Sequence, residues 1–123
     1  LEMGRYILAE DYVRAQRGRQ RLIREVREAL NGRDGLLLPS MPVAATKLGV
    51  ATVSLGGSEE TVRNITLRLT QLFNITGHPA ISLPCGTTSE ALPVGIQTVG
   101  ARNRTPELRE VAAAAEKALA VPC

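Results

Sequence analysis

The chain has few aromatic residues, one histidine and two cysteines, and each scarcity excludes a class of structure or site. Its aromatic residues are Tyr6, Tyr12 and Phe73, without any Trp, so a hydrophobic core must consist of Leu, Ile, Val and Ala. One histidine excludes a metal site built from several histidines. Cys85 and Cys123 are too few and too far apart for a disulfide framework or a cysteine-rich metal motif.

Long apolar runs and targeting signals are also missing. No apolar run approaches the roughly 18 residues that a membrane span needs, and no signal peptide is visible, so we expect a cytoplasmic protein without a membrane span. The first residue is Leu1 rather than Met, which indicates a piece of a longer gene product or a processed chain. The length predicts a single domain over 1–123, with a helical arm at 1–33 and an α/β part at 34–123.

The net charge of +3 is concentrated in one segment. Residues 1–33 contain eight arginines against five acidic residues, whereas residues 34–123 are balanced. Glutamates are interleaved with these arginines, and no aromatic residue lies among the arginines from Arg14 to Arg33. A solvated helix face is therefore expected, and nucleic-acid binding is not.

Hydrophobic periodicity predicts three helices. The first runs from Glu10 to Leu30, the second opens at Ser58 as N-cap and stops at Asn74 and Gly77, and the third opens at Thr105. Their apolar stripes are Tyr12, Ala15, Leu22, Ile23, Val26, Ala29 and Leu30 in the first, Val62, Ile65, Leu69, Leu72 and Phe73 in the second, and Leu108, Val111, Ala112, Ala115 and Leu119 in the third.

Three short strands are predicted between these helices. Leu36–Leu38 is a run of three leucines, which indicates a central strand buried on both faces. A long loop follows to Gly57, and strands are expected at 80–83 and 94–99. The order of elements predicts an α/β fold, a small mixed sheet with flanking helices.

The candidate nucleophiles have no base within reach. Cys85 lies seven residues after His78. An extended strand rises about 3.3 Å per residue, so about 20 Å would separate them, and a catalytic dyad needs hydrogen-bond contact. We expect Cys85 to be a buried structural thiol and His78 a hydrogen-bonded turn residue. Ser82 lies in an apolar strand without a neighbouring base, and no Gly-x-Ser-x-Gly elbow occurs.

Two motifs carry a family resemblance. Residues 74–86 read Asn-x-x-Gly-x-Pro-Ala-Ile-Ser-x-Pro-Cys-Gly, and residues 92–97 read Leu-Pro-x-Gly-x-Gln. This pattern resembles the C-terminal part of the amidase signature family. Residues 4–21 and 35–42 resemble the family helix, strand and Pro-rich loop that come before it. The resemblance implies part of a large α/β/α fold, whose Ser–cis-Ser–Lys triad hydrolyses or transfers amides without metal or organic cofactor.

The resemblance places the catalytic residues outside this chain. The triad belongs to a Lys and a Gly/Ser-rich stretch that have no counterpart here, since Lys47 lies in the long loop and Lys117 near the C-terminus. No catalytic residue is therefore expected in this chain.

What the resemblance implies here is a wall of the acyl pocket, together with a strand glutamine. The expected substrate-pocket residues are Leu67, Thr70, Asn74 and Gly77. Gln97 matches the family's strand glutamine and is expected to hydrogen-bond at the sheet edge. In the tRNA-dependent glutamine amidotransferases, the corresponding chain carries an aspartate seven positions before the asparagine, to meet the α-amino group of glutamine. Leu67 stands at that position and cannot pair with an ammonium, which favours a less polar amide.

Three functions follow from these observations. The first is the C-terminal, pocket-forming portion of an amide hydrolase acting on a small-molecule amide. The second is a fragment of the A subunit of a tRNA-dependent glutamine amidotransferase, and the third is a non-catalytic oligomerising or binding module. In each case a strand such as 36–38 needs cover that a small sheet cannot supply, so we expect the chain to self-associate.

Overall fold

The computed structural model describes residues 2–119, and these residues form helices on both sides of a three-stranded sheet. Cys123 lies outside the described residues. The elements in chain order are a 3₁₀ turn at Glu2–Tyr6, α1 at Ala9–Leu30, β1 at Leu36–Pro39, β2 at Thr52–Leu55, β3 at Ser58–Thr61, α2 at Val62–Leu67, α3 at Gln71–Thr76, β4 at Ala80–Thr87, β5 at Pro93–Val99 and α4 at Thr105–Leu119.

The main sheet has the order β1–β5–β4, with β5 between the other two strands. Each strand pair among the described residues is antiparallel, so the α/β class is confirmed but the sheet is not mixed. The prediction that 36–38 forms a central strand is wrong. β1 is an edge strand that alternates, with Leu36 and Leu38 half-buried and Leu37 57% exposed. The three consecutive leucines therefore do not indicate a strand that is buried on both faces.

One face of this sheet packs against α1 and α3. The core there consists of Val26, Leu30, Phe73 and Val99, bordered by Leu36, Leu38 and Leu72. Arg19 joins the two helices, because its Nε donates a hydrogen bond to the carbonyl oxygen of Ile75 at 2.6 Å. The apolar side chains of this layer explain why α3 lies beside the sheet although it is only six residues long.

The opposite face packs against α4, as the apolar stripe of the third predicted helix requires. Leu108 and Ala112 are buried, and Val111, Ala115 and Leu119 are half-buried. Gly35 lies between the Thr98 side chain and Val111, and a Cβ placed there would be 3.1 Å from the carbonyl oxygen of Val99. Helices on both faces of one sheet give the α/β/α layering that was expected.

In the predicted α1 stripe, the residues that are buried or half-buried all lie in the C-terminal half of the helix. Val26 and Leu30 are in the core, whereas Tyr12 is 62% exposed and Ala15 and Ala29 are also exposed. A helix of 22 residues is about 33 Å long, which exceeds what a short three-stranded sheet can cover. The first half of α1 therefore extends beyond the core. None of the helices described in residues 2–119 is long and apolar enough to cross a membrane.

The second predicted helix begins three residues later than expected and is interrupted. Ser58–Thr61 forms β3, which pairs with β2 in a hairpin. Gly56 and Gly57 connect the two strands with φ of 59° and 86°, and two consecutive positive φ values suit a two-residue hairpin turn. Thr61 rather than Ser58 is the N-cap, because its Oγ1 accepts a hydrogen bond from the Asn64 amide.

Candidate functional site

Residues 68–70 interrupt the helix and form the α2–α3 break. Gln97 holds this break against the sheet. It lies in the central strand β5 and is 2% exposed. Its Nε2 donates two hydrogen bonds, to the carbonyl oxygen of Leu69 at 2.9 Å and to that of Pro39 at 3.2 Å. The expected hydrogen bond at the sheet edge is present, because Pro39 belongs to the edge strand β1, and the same carboxamide also joins the central strand β5 to the α2–α3 break.

The four predicted pocket residues lie along this interrupted helix. Leu67 ends α2, and the amide of Thr70 donates to its carbonyl oxygen at 3.2 Å. Thr70 is the N-cap of α3, and its carbonyl oxygen accepts from the Asn74 amide. Gly77 ends α3 with a φ of 70°, a left-handed conformation that favours glycine. The structure brings Leu67 and Thr70 into contact and places Gly77 at the far end of α3.

Two serine hydroxyls lie beside Gln97 on the same sheet face. Ser82 of β4 is the register partner of Gln97. Ser40 follows β1, where its amide donates to the Gly95 carbonyl oxygen at 2.9 Å and its Oγ donates to Ser82 Oγ at 3.1 Å. A Cβ at Gly95 would lie 3.1 Å from Ser40 Oγ, so glycine makes room for this contact. Ser40 carries no local sequence signal for this position, since only the pairing of distant strands places it here.

Ser40 also borders a cavity of about 320 Å³. Its remaining walls are the loop after β1 and the end of the β4–β5 hairpin, including Pro42, Val43, Thr88 and Val94. These walls are mostly apolar, and Ser40 and Thr88 supply hydroxyl groups. Such a lining can bind and orient a neutral polar group, but it contains no acid or base to transfer a proton.

His78 is a hydrogen-bonded turn residue, as expected, whereas the expectation of a buried thiol at Cys85 is met only in part. His78 is buried in the turn before β4, and its Nδ1 lies 2.8 Å from Thr76 Oγ1. Burial, and secondarily the positive charge of Arg102, lower the pKa of His78 below its usual 6.5. Cys85 is half-buried, and its Sγ donates to the Val94 carbonyl oxygen at 3.5 Å. Neither pairing activates a nucleophile.

The donor groups near Gln97 suit a neutral ligand rather than a metal ion. Within the described part of the chain, no three His, Cys, Asp or Glu side chains are placed so that they could hold one ion. The groups assembled around Gln97 are hydroxyls, a carboxamide and backbone carbonyls. Because both Nε2 hydrogens of Gln97 are already donated to carbonyl oxygens, a ligand could meet the serine hydroxyls beside it but not the carboxamide itself.

The Amidase family model matches residues 1–108 of the chain. The chain is 38% identical over 94 residues to an amidase of Pseudomonas putida, an alignment that covers 75% of this chain and 20% of that protein. It is 33% identical over 111 residues to the A subunit of the glutamyl-tRNA(Gln) amidotransferase of Nostoc punctiforme, covering 87% of this chain and 21% of that protein. A crystal structure of an amidase matches with a TM-score of 0.87 at 32% identity, over 94% of this chain and 26% of the other. The chain thus spans about a fifth of the length of these two curated relatives.

Proposed function

Because the chain belongs to the Amidase family, whose model matches residues 1–108, we propose that it is the C-terminal, pocket-forming portion of an amide hydrolase. The observation that carries this proposal is the double hydrogen bond from Gln97 to Leu69 and Pro39. It fixes the α2–α3 break, which bears Leu67 and Thr70, against the sheet beside Ser40. A rigid wall of this kind is what a substrate pocket requires.

The chemical step belongs to the rest of the longer protein in this proposal. The family resemblance implies a Ser–cis-Ser–Lys triad and no cofactor, and residues 2–119 bring no nucleophile into contact with a base. The chain spans about a fifth of its curated relatives, which leaves ample length for the triad elsewhere. The chain alone would therefore not hydrolyse amides, and its substrate in the complete enzyme would be a small-molecule amide.

Leu67 favours an apolar amide over glutamine. Its side chain is 38% exposed at the end of α2, where it offers an apolar surface and no negative charge. A carboxylate would be needed there to pair with the α-amino group of glutamine. The similarity to the A subunit of an amidotransferase supports the glutamine-using alternative, and the two proposals require different residues at position 67.

The experiment uses the longer protein that contains this chain, with an aryl amide and glutamine as substrates. We expect hydrolysis of the aryl amide, and we expect Leu67→Asp to lower its kcat/KM about tenfold, because a charge in the pocket would meet an apolar group. Ile75→Asp is the matched control, since Ile75 is 39% exposed on α3, and it should stay within about threefold.

Two results would contradict this proposal. Equal effects of the two substitutions would show that Leu67 does not line the substrate pocket. Turnover by the purified 123-residue chain that survives repurification, and that disappears on a point mutation in this chain, would show that the catalytic groups lie within it.

The non-catalytic module remains the alternative of another class. The exposed Leu37 on the edge strand β1 favours it, because an open apolar edge can pair with a second copy. A complete enzyme without amide turnover, together with a stable oligomer, would support the module over the hydrolase.

A further inference from the structure

A cavity of about 440 Å³ lies between the end of α1, the turn before β4 and the loop after β5. Ile23 and Leu30 of α1 form an apolar wall, and Arg27, His78 and Arg102 supply polar groups. This volume lies within the range of small-molecule sites in proteins. The combination of an apolar wall with cationic groups is that of a pocket for an amphipathic anion.

The positive charges in this cavity are not neutralised by the described residues. Arg27 comes from α1 and Arg102 from the loop after β5, and no Asp or Glu lines the cavity. The salt bridges among the described residues use four other arginines, namely Arg14, Arg21, Arg68 and Arg104. Two guanidinium groups from different elements at one cavity can hold a carboxylate by charge-assisted hydrogen bonds.

The hydrogen bonds of His78 define which of its nitrogens can respond to an anion. Thr76 Oγ1 donates its single hydrogen to the Leu72 carbonyl oxygen at 2.9 Å. In the tautomer consistent with this bond, the contact of 2.8 Å between Thr76 Oγ1 and Nδ1 of His78 has Nδ1–H as the donor, because the Oγ1 hydrogen is already used. Protonation of His78 then takes place at Nε2, which makes no hydrogen bond within the described residues.

We propose that this cavity binds a small monocarboxylate, with its carboxylate held by Arg27 and Arg102 and its apolar part against Ile23 and Leu30. Asn31 and Gly32, which follow the C-terminus of α1, also line the cavity. A helix C-terminus carries partial negative charge, which opposes a dianion such as phosphate more strongly than a monoanion. The inference goes beyond the proposed amide chemistry, because it uses none of the residues around Gln97.

His78 provides a direct readout, since it is the only histidine in the chain. Its ring proton signals can be followed by NMR across a pH titration of the 123-residue chain, with sodium butyrate as probe at constant ionic strength. A bound carboxylate offsets the charge of Arg102 and favours the protonated ring, so butyrate should raise the titration midpoint in a saturable way. By the same linkage, butyrate should bind more tightly at about pH 6 than at about pH 8.

Charge-matched variants separate this site from general screening. Arg102→Gln and Arg27→Gln should each weaken butyrate binding about tenfold. Arg109→Gln removes an equal charge from the exposed surface of α4, outside the cavity lining, and should leave binding unchanged. Using both cavity arginines keeps the test decisive if one variant folds poorly.

The neutral control is n-butanol, which has the same apolar tail and no charge. A midpoint of His78 that stays constant up to about 50 mM butyrate would overturn the proposal, since so small a ligand should reach a millimolar dissociation constant. An equal response to n-butanol, or equal affinities in the Arg102→Gln and Arg109→Gln variants, would overturn it as well.

Discussion

Replacing Gln97 by leucine tests whether one buried carboxamide fixes the α2–α3 break against the sheet. The change keeps an apolar side chain of similar size and removes the hydrogen bonds to Leu69 and Pro39. Each bond contributes about 1 kcal/mol net, and each carbonyl left without a partner adds a desolvation cost. We therefore expect the free energy of unfolding to fall by about 2–4 kcal/mol. A chain of this length has a total of only about 6–18 kcal/mol.

Urea and thermal unfolding, followed by circular dichroism, measure this effect. For a chain of this size, a loss of about 3 kcal/mol corresponds to a decrease in Tm of about 10 °C. Gln71→Leu is the matched control, because Gln71 is exposed at the start of α3, and it should change stability by less than about 0.5 kcal/mol. If the Gln97→Leu variant is as stable as the Gln71→Leu variant, the two hydrogen bonds of Gln97 do not hold the helices against the sheet.

Gln97→Glu adds a second test of the same geometry. An ionised carboxylate can only accept hydrogen bonds. It would face the two carbonyl oxygens that now accept hydrogen bonds from Gln97. A protonated carboxyl could still donate to one of them. The folded-state pKa of this glutamate should therefore be raised, so the variant should lose more stability, relative to wild type, at about pH 7 than at about pH 4. The opposite order would contradict donation by Nε2.

Further predictions concern the helix end, the histidine and the sheet edge. Gly77→Ala should cost about 1–2 kcal/mol because its φ is 70°, whereas Gly18→Ala, with open space around its Cβ position within α1, should stabilise by about 0.5–1 kcal/mol; urea midpoints check both. His78 has a lowered pKa, so its contribution to stability is complete above pH 6.5 and is lost as the pH falls through the folded-state pKa, and His78→Gln should flatten this dependence in urea titrations. The chain should self-associate at micromolar concentration in light scattering, and Leu37→Lys on the exposed edge should reduce this without lowering monomer stability. A monomeric wild-type chain would show that its edge needs no partner.

Local signals predicted the elements whose boundaries depend on neighbouring residues. Gly77 ends α3 because a left-handed residue was needed there, and α1 ends at Leu30 beside Asn31. The α/β class and the helices flanking a small sheet followed from the order of these elements. The family resemblance, now shown by the match over 1–108, came from residues 74–97.

Features that depend on contacts between residues far apart in the chain could not be predicted from the sequence. Ser58-Glu59-Glu60 has the composition of a helix start, yet the Gly56-Gly57 turn pairs these residues with β2. The leucines of β1 indicated burial, but their position at an edge depends on β5 occupying the centre. Likewise Gln97 reaches Leu69 and Pro39, which are 28 and 58 residues away. No periodicity encodes such partners.

The central position of β5 imposes an order of assembly on a chain emerging from the ribosome. β1 and β4 each pair with β5 and not with each other. Until Pro93–Val99 has been synthesised, β1 has no neighbour in the described sheet, although the β2–β3 hairpin can already close locally. The contact between Pro39 and Gln97 then closes a loop of 58 residues, which slows folding relative to local pairing. During translation, the leucines of β1 therefore lack their partner strand of this sheet until β5 has been made.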